Sequence, residues 1–183
     1  MSNFPRSEMK DGSLMKQYEY IWLDGTEGDP QLRSKTRFLE SDGEEMPPYW
    51  SFDGGSTFQG NVTDSDRVLV PVATYSDPFN EEGVLVFCEV FYPDMTPHES
   101  NSRQLILKSS LESNPETWFG FEQEYTLMTP DHTIPLAWKS DKSTMEQEYS
   151  YCGVGAKYVT GRGFAYDHAK LCSMAGIPIA GIN

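Results

Sequence analysis

Cysteine, histidine and positive charge are all scarce in this chain of 183 residues. Its cysteines, Cys88, Cys152 and Cys172, stand far apart and form no C-x-x-C pair, which indicates a reducing cytoplasm rather than a disulfide scaffold. The three histidines match no zinc-finger spacing. Lys and Arg number 14 against 28 Asp and Glu, and the net charge of −14 argues against binding to nucleic acid or to an anionic membrane surface.

Long hydrophobic runs are absent as well. The first residues contain no apolar core of a signal peptide, and no segment approaches the ~18 apolar residues of a membrane span. We therefore expect a soluble cytoplasmic protein. Apolar residues at 38% and aromatic residues at 13% are enough for a packed core, so the composition predicts one folded domain or two small ones.

Period-two alternation predicts five β-strands in the first half of the chain. They are residues 18–24, 32–39, 49–57, 67–75 and 84–92. The first two flank a glycine-rich turn and form a predicted hairpin. The last strand is apolar on both faces, so it should be central in its sheet. Pro71 indicates that the fourth strand lies at an edge or contains a bulge.

Two polar features of this half each have two interpretations. Arg33, Lys35 and Arg37 share one face of the second strand, and simple solvation of that face is the favoured interpretation. The third strand ends in D-G-G-S-T, whose one ionisable group is Asp53. This sequence is typical of a tight turn, which is favoured, but Asp53 could also accept a proton or contact a cation.

Residues 118–128, W-F-G-F-E-Q-E-Y-T-L-M, also alternate and predict a strand. Glu122 and Glu124 then share a face, with carboxylates roughly 7 Å apart at the rise of a strand. Like charges repel unless a positive group lies beside them, and Mg²⁺ or Mn²⁺ is the natural partner of oxygen ligands. A bare E-x-E favours the alternative of a solvated face, whereas the flanking aromatic residues and Gly120 favour a buried, functional strand.

Two helices are predicted in the second half of the chain. One spans residues 100–111 and begins at the capping residues Ser100 and Asn101, and the other spans residues 163–175 and is stopped by Gly176. Residues 129–148, between them, are rich in turns and charges. A segment bounded by prolines at residues 93–97 closes the first sheet and marks the predicted domain boundary.

Several motifs occur together in a fixed order. They are Y-E-Y-I-W-L-D-G-T, L-R-S-K-T-R, W-S-F-D-G-G-S-T, D-P-F, L-V-F-C-E-V, W-F-G-F-E-Q-E-Y-T-L-M, Y-C-G-V-G, G-R and A-G-I-P-I-A-G-I-N. Together they resemble glutamine synthetase of the eukaryotic type, over residues 18–183. The resemblance implies an α+β protein: a tail at residues 1–16, a β-grasp-like N-terminal sheet at residues 17–96, and an incomplete α/β catalytic domain at residues 97–183.

Enzymes of this family join ammonia to the side-chain carboxyl of glutamate with ATP, through γ-glutamyl phosphate. The resemblance implies that Glu122 and Glu124 each bind one of two Mg²⁺ or Mn²⁺ ions, and that Asp53 assists the deprotonation of ammonium. Ser56 and Tyr151 match residues that line the family's ammonium pocket. Trp118 matches an aromatic residue near the nucleotide base.

The sequence also departs from the family pattern. Gly55 stands where the usual F-D-G-S-S-T loop has a serine, and Lys157 and Gly163 stand where the family has acids. The approach to Tyr151 reads E-Q-E-Y-S-Y instead of a glycine- and proline-rich loop. The chain also stops before the segments that carry the family's further metal ligands and its substrate-binding arginines.

We therefore expect the isolated chain to be inactive as a ligase, with activity only if the missing half is supplied. One alternative is a truncated homologue that binds an intact glutamine synthetase ring, joining or capping it. Another is a fragment without a function of its own. The partners expected from the resemblance are further copies of this chain or intact glutamine synthetase subunits.

Overall fold

The structure is a computed structural model that describes residues 15–40, 46–108, 116, 118–138 and 151–182. The chain divides into two compact units, Met1–Thr117 and Trp118–Asn183. The predicted tail at residues 1–16 lies outside the described residues except for Met15 and Lys16, which belong to the first strand. The boundary predicted at residues 93–97 stays a prediction.

The first unit is built on one mixed sheet of five strands. The strands are β1 (Met15–Leu23), β2 (Leu32–Glu40), β3 (Trp50–Asp53), β4 (Asp66–Ser76) and β5 (Gly83–Phe91). Their order is β2-β1-β5-β4-β3, with β1 and β5 parallel and the other neighbours antiparallel. The five predicted strands, the β1–β2 hairpin and the central place of β5 are therefore confirmed, and the fold is α+β with a β-grasp-like sheet.

One face of this sheet carries the hydrophobic core. Tyr20 and Val86 are partners in the β1–β5 register, and both side chains are fully buried. The Tyr20 ring meets Trp50 edge to face at 5.2 Å, and its hydroxyl donates a hydrogen bond to Pro48 O at 2.7 Å. The buried cluster consists of Tyr20, Trp22, Phe52, Leu69, Val86, Cys88 and Val90. Removing these aromatic and branched side chains from water stabilises the sheet.

Pro71 marks an irregularity in β4. The register between β4 and β5 shifts between Pro71 and Ala73, so one extra residue bulges out of the strand. Because proline has no N–H to donate to the ladder, such a position suits it. Of the two predicted outcomes, the bulge is confirmed, whereas β4 is not an edge strand because it lies between β5 and β3.

The basic face of β2 is not simply solvated, so that interpretation was wrong. Lys35 Nζ lies 3.6 Å from the centroid of the Trp50 ring and donates a hydrogen bond to Ser51 O at 2.9 Å. Burial lowers the pKa of Lys35, and the nearby Arg37 charge lowers it further. Arg33 pairs with Asp24 at 2.9 Å. Lys35 and Arg37 both lie over the Trp50 ring because a cation is attracted to an aromatic face, whereas Arg33 is held by its ion pair.

Two helices are present among the described residues. In the first unit, α1 (Ser102–Leu107) begins after Asn101, whose side chain accepts a hydrogen bond from Gln104 N, so the predicted N-cap is confirmed. In the second unit, α2 (Arg162–Met174) is followed by Gly176 at φ +83°, as the sequence predicts. Neither helix is long and apolar enough to cross a membrane. The cytoplasmic location stays a prediction.

The strand predicted at residues 118–128 is not formed. Residues 118–127 are irregular, and only Met128 makes an isolated bridge, to Pro135. A strand needs a neighbour to receive its backbone hydrogen bonds. No strand of the second unit lies within its described residues, so the alternating pattern lacks a ladder there. The turn-rich prediction at residues 129–148 holds for 129–138, and the remainder lies outside the described residues.

Replacement of Gly25 by alanine should destabilise the first unit. A Cβ atom at Gly25 would lie 2.2 Å from Phe58 O, so the backbone of one of the two segments must move. Overpacking of this kind costs about 1–3 kcal/mol. Urea unfolding followed by circular dichroism measures the loss. Gly120→Ala is the control because nothing lies within 4 Å of its Cβ position. Equal stability of the two variants would contradict the close contact at Gly25.

Candidate functional site

The loop after β3 presents Asp53 and Ser56 at the surface from a fixed backbone. β3 ends at Asp53, and a short 3-10 helix, Gly54–Thr57, follows at once. Asp53 Oδ1 accepts a hydrogen bond from Gly55 N at 2.8 Å and so caps this helix. Asp53 and Ser56 are both exposed. The turn interpretation of D-G-G is therefore correct, and the turn leaves the carboxylate accessible.

Close backbone packing holds this helix from two sides. Gly54 N donates to Ser65 O at 2.7 Å, and Gly25 N donates to Thr57 O at 2.8 Å. A Cβ atom at Gly54 would lie 2.9 Å from Arg67 Cγ, so only glycine fits without a shift. Arg67 itself is buried and donates to Asp66 O and to Asp64 Oδ1. The loop thus rests on β4 and on the turn after β1.

A buried carboxylate shapes the turn after β1. Asp24 Oδ1 accepts hydrogen bonds from Gln31 N at 2.9 Å and from Thr26 N at 3.0 Å, and Oδ2 accepts one from Arg33 Nε at 2.9 Å. The Gln31 N–H holds the pKa of Asp24 well below its usual range, and Thr26 and Arg33 add to this effect. Asp24 therefore stays ionised and fixes the segment that contacts the loop.

A second polar cluster lies behind the loop and was not predicted from the sequence. Gln59 and His98 are buried, and both reach the Ser100 side chain, Gln59 Nε2 at 2.9 Å and His98 Nδ1 at 2.9 Å. Ser100 N donates to His98 Nδ1 at 3.1 Å. Burial lowers the pKa of His98, so its neutral form is favoured. No spacing rule marks a buried polar cluster whose members lie about 40 residues apart.

Four predicted site residues belong to the second unit. Trp118, Glu122, Glu124 and Tyr151 are all exposed. Around the two glutamates the chain is irregular, and Gln123 Nε2 donates to Glu124 O at 3.1 Å. Asp53 and Ser56 thus share one loop, whereas the other four positions lie in a separate compact unit. Their roles stay predictions.

Contacts with α2 organise both segments of the second unit that carry these residues. The Tyr125 ring meets His168 edge to face with centroids 5.8 Å apart. Arg162, the first residue of α2, donates to Gly153 O at 3.0 Å and so anchors the chain just after Tyr151. One short helix therefore contacts the chain close to Glu124 and close to Tyr151.

A divalent metal fits these residues in ligand type but not in number. Glu122 and Glu124 offer carboxylate oxygens, which Mg²⁺ and Mn²⁺ prefer. Across the part of the chain that the structure describes, no three His, Cys, Asp or Glu side chains gather into a group that could hold a metal ion. Mg²⁺ takes six ligands, and these two residues do not supply a complete protein site.

Comparison with known proteins finds glutamine synthetases. The canine glutamine synthetase is 47% identical over 172 residues, which are 91% of this chain and 45% of that protein. The human glutamine synthetase is 45% identical over 172 residues. The one from Streptomyces hygroscopicus is 42% identical over 167 residues, 90% of this chain and 48% of that protein. The chain spans about half the length of the curated relatives it matches, and no family model matches it.

The cap at Asp53 can be separated from its charge by substitution. Asp53→Ala removes the acceptor for Gly55 N and should lower the free energy of unfolding by about 1 kcal/mol, the usual cost of losing an N-cap. Asp53→Asn keeps an acceptor oxygen and should leave the free energy within about 0.5 kcal/mol of the parent. Urea denaturation of both variants measures the difference. Equal losses in the two variants would show that the hydrogen bond to Gly55 does not matter.

Proposed function

We propose that this chain, which is similar to the N-terminal part of glutamine synthetases over nine tenths of its length, contributes the ammonium side of a glutamine synthetase active site. The reaction joins ammonia to the γ-carboxyl of glutamate with ATP, through γ-glutamyl phosphate. The observation that carries this proposal is 42–47% identity over about 170 residues. A second support is the loop at residues 53–58, which presents an accessible carboxylate and, three residues further on, an accessible hydroxyl.

Asp53 is the proposed proton acceptor. In the proposed step the Asp53 carboxylate takes a proton from ammonium, and the nitrogen lone pair of the resulting ammonia attacks the γ-carbonyl carbon of γ-glutamyl phosphate. The carbon–nitrogen bond forms, the bond from the carbonyl carbon to the phosphate oxygen breaks, and the proton that the nitrogen then loses leaves with inorganic phosphate. A general base has to lie within hydrogen-bond reach of the proton that it takes. The cap from Gly55 N supports this role because it orients the carboxylate before substrate arrives.

Ser56 is proposed to bind ammonium by accepting a hydrogen bond from one of its N–H groups, and Tyr151 is proposed for the same role. Ser56 lies in the short helix that Asp53 caps, three residues after Asp53, so one short backbone segment carries both side chains. Tyr151 comes from the second unit. Trp118, on the same unit, is the proposed contact for the base of ATP, because its exposed indole offers a large aromatic face.

Glu122 and Glu124 are proposed to contribute two carboxylates to a Mg²⁺ or Mn²⁺ site. When bound, such an ion neutralises the charge on ATP phosphates. The remaining ligands are not among the described residues. These two glutamates therefore supply part of the site, and no step of the reaction follows from them alone.

A chimaera tests the proposal. In it this chain replaces the matching portion of the canine glutamine synthetase. We expect ATP-dependent glutamine formation, and Asp53→Asn should lower kcat at least about 100-fold because a positioned general base contributes roughly 10²–10⁴ in rate. Asp66 is the matched control, since it is an exposed aspartate directly opposite Asp53 in the β3–β4 ladder. If the folded chimaera made no glutamine, or if Asp66→Asn were equally damaging, the proposed role of Asp53 would be wrong.

The polypeptide of these 183 residues should form no glutamine by itself, because two carboxylates do not complete a two-metal site. The measurement is glutamine formation by the purified chain with ATP, glutamate, ammonium and Mg²⁺ or Mn²⁺. Activity that survives further purification and disappears in Asp53→Asn would contradict this expectation.

A second candidate function is non-catalytic binding to an intact glutamine synthetase or to further copies of this chain. Large apolar side chains on the second unit favour it, since Trp118 is 93% and Phe121 is 94% exposed. Exposed apolar side chains that are close together mark surfaces for partners. A partner that buried both aromatic rings would remove them from water at a gain of about 25 cal/mol per Å².

Mixing this chain with the canine enzyme tests the second candidate. We expect co-migration on size exclusion and a change in synthetase activity, both reduced by the double variant Trp118→Ser, Phe121→Ser. Phe79→Ser is the control, because Phe79 is also highly exposed, at 82%, but lies in the first unit. If no complex forms and the activity does not change at micromolar concentrations, this function is ruled out.

A further inference from the structure

Gln59 connects its own stretch of chain to the end of β1 and to the segment before α1 through one buried side chain. Its Oε1 accepts a hydrogen bond from Trp22 Nε1 at 3.3 Å. Its Nε2 donates to Leu23 O at 3.0 Å and to Ser100 Oγ at 2.9 Å. The side chain is 1% exposed, so its hydrogen bonds are made entirely within the protein. The amide thus joins the end of β1 to the segment that leads into α1.

The backbone of the same residue closes the loop that carries Asp53 and Ser56. Gln59 N donates to Gly54 O at 2.9 Å, and this bond brings the first residue of the 3-10 helix against Gln59. Phe58, between the helix and Gln59, is in the left-handed region at φ 58°, which leaves the chain little freedom to readjust. A shift of Gln59 would therefore move Gly54, the residue next to Asp53.

Gln59 thus has one end fixed in the core and the other fixed to the loop. Its amide partner Trp22 lies in the buried cluster and is 4% exposed, so the anchor point is among the most firmly held in the unit. The loop projects Asp53 and Ser56 to solvent, and Gln59 holds it together with the backbone hydrogen bonds from Gly54 N to Ser65 O and from Gly25 N to Thr57 O. A buried amide whose oxygen and nitrogen both make hydrogen bonds fixes direction as well as distance, which an apolar side chain does not.

We propose that Gln59 is a positioning residue for the ammonium site: by holding the loop at residues 53–58 against β1 and Ser100, it sets where Asp53 and Ser56 meet ammonium. This inference rests on the proposed function. Gln59 does not touch substrate, so its loss should act through the loop. The affected quantity is the use of ammonium, because ATP is assigned to residues of the second unit.

Amide exchange in the 183-residue chain tests the anchoring directly. Gln59→Met removes the amide at similar length. Ser100→Ala removes one hydrogen bond of Gln59, together with the contact from Ser100 Oγ to His98 Nδ1, and leaves the bonds of Gln59 to Trp22 and Leu23. We expect the Gly54 and Gly55 amides to exchange about tenfold faster in Gln59→Met and less so in Ser100→Ala, with the β1–β5 amides unchanged. Gln31→Met is the matched control, since the exposed Gln31 side chain donates only to Asp29 O. Unchanged loop exchange in the folded variants would overturn the inference.

Kinetics of the chimaera with the canine enzyme test the functional part. In Gln59→Met we expect KM for ammonium to rise about tenfold while KM for ATP stays within about twofold. The displaced loop carries Asp53 and Ser56, which are proposed to contact ammonium, and no residue that is proposed to contact ATP. Ser100→Ala should give a smaller rise, so the test does not depend on Gln59→Met folding. Faster loop exchange with an unchanged ammonium KM would overturn the link to ammonium. An inactive parent chimaera would refute the proposed function, while faster loop exchange would still support the anchoring by Gln59.

Discussion

The parallel pairing of β1 with β5 is the constraint on which the first unit depends. It joins residues more than 60 positions apart, from Gln17 opposite Gly83 to Ile21 opposite Phe87. Such a pair forms only after a long connection has closed, and closing that connection costs chain entropy. Burial of Tyr20 against Val86 in the middle of this pair offsets the cost. The β1–β2 hairpin and the β4–β5 pair then add to its two sides.

The same strand also determines where the candidate site lies. β1 ends at Leu23, and the chain turns at once through Asp24 and Gly25. Asp24 is ionised and accepts three hydrogen bonds, which hold this turn in place. Because Gly25 has no Cβ atom, its backbone can lie closer to Phe58 O than the backbone of any other residue type could. The position of the loop after β3 thus depends on the core as well as on the loop's own sequence. An exposed site of this kind can be rigid because its supports are buried.

Alternation was a sufficient guide to the first sheet but not to residues 118–128. A period of two tells which side chains share a face, and the apolar residues on both faces of β5 also indicate its central place in the sheet. It does not tell whether a neighbouring strand exists to pair with, which is why Glu122 and Glu124 lie on irregular chain in the second unit. The interpretation of the basic face of β2 as simply solvated was wrong for a related reason. Charge pattern alone cannot reveal that Trp50 lies beneath Lys35.

Motif resemblance predicts Asp53 and Ser56 as site residues, but it could not predict what supports their loop, because Gln59 and Ser100 meet only in three dimensions. The structure also explains a departure from the family motif at Gly55. A Cβ atom there would lie 3.1 Å from Asp53 Oδ1, tighter than ordinary contact, so a serine would displace the carboxylate by a few tenths of an ångström. Glycine avoids that contact and keeps the N–H that donates a hydrogen bond to the capping residue Asp53. Glycine at position 55 therefore leaves no hydroxyl beside Asp53, and the Asp53 carboxylate keeps the hydrogen bond that orients it.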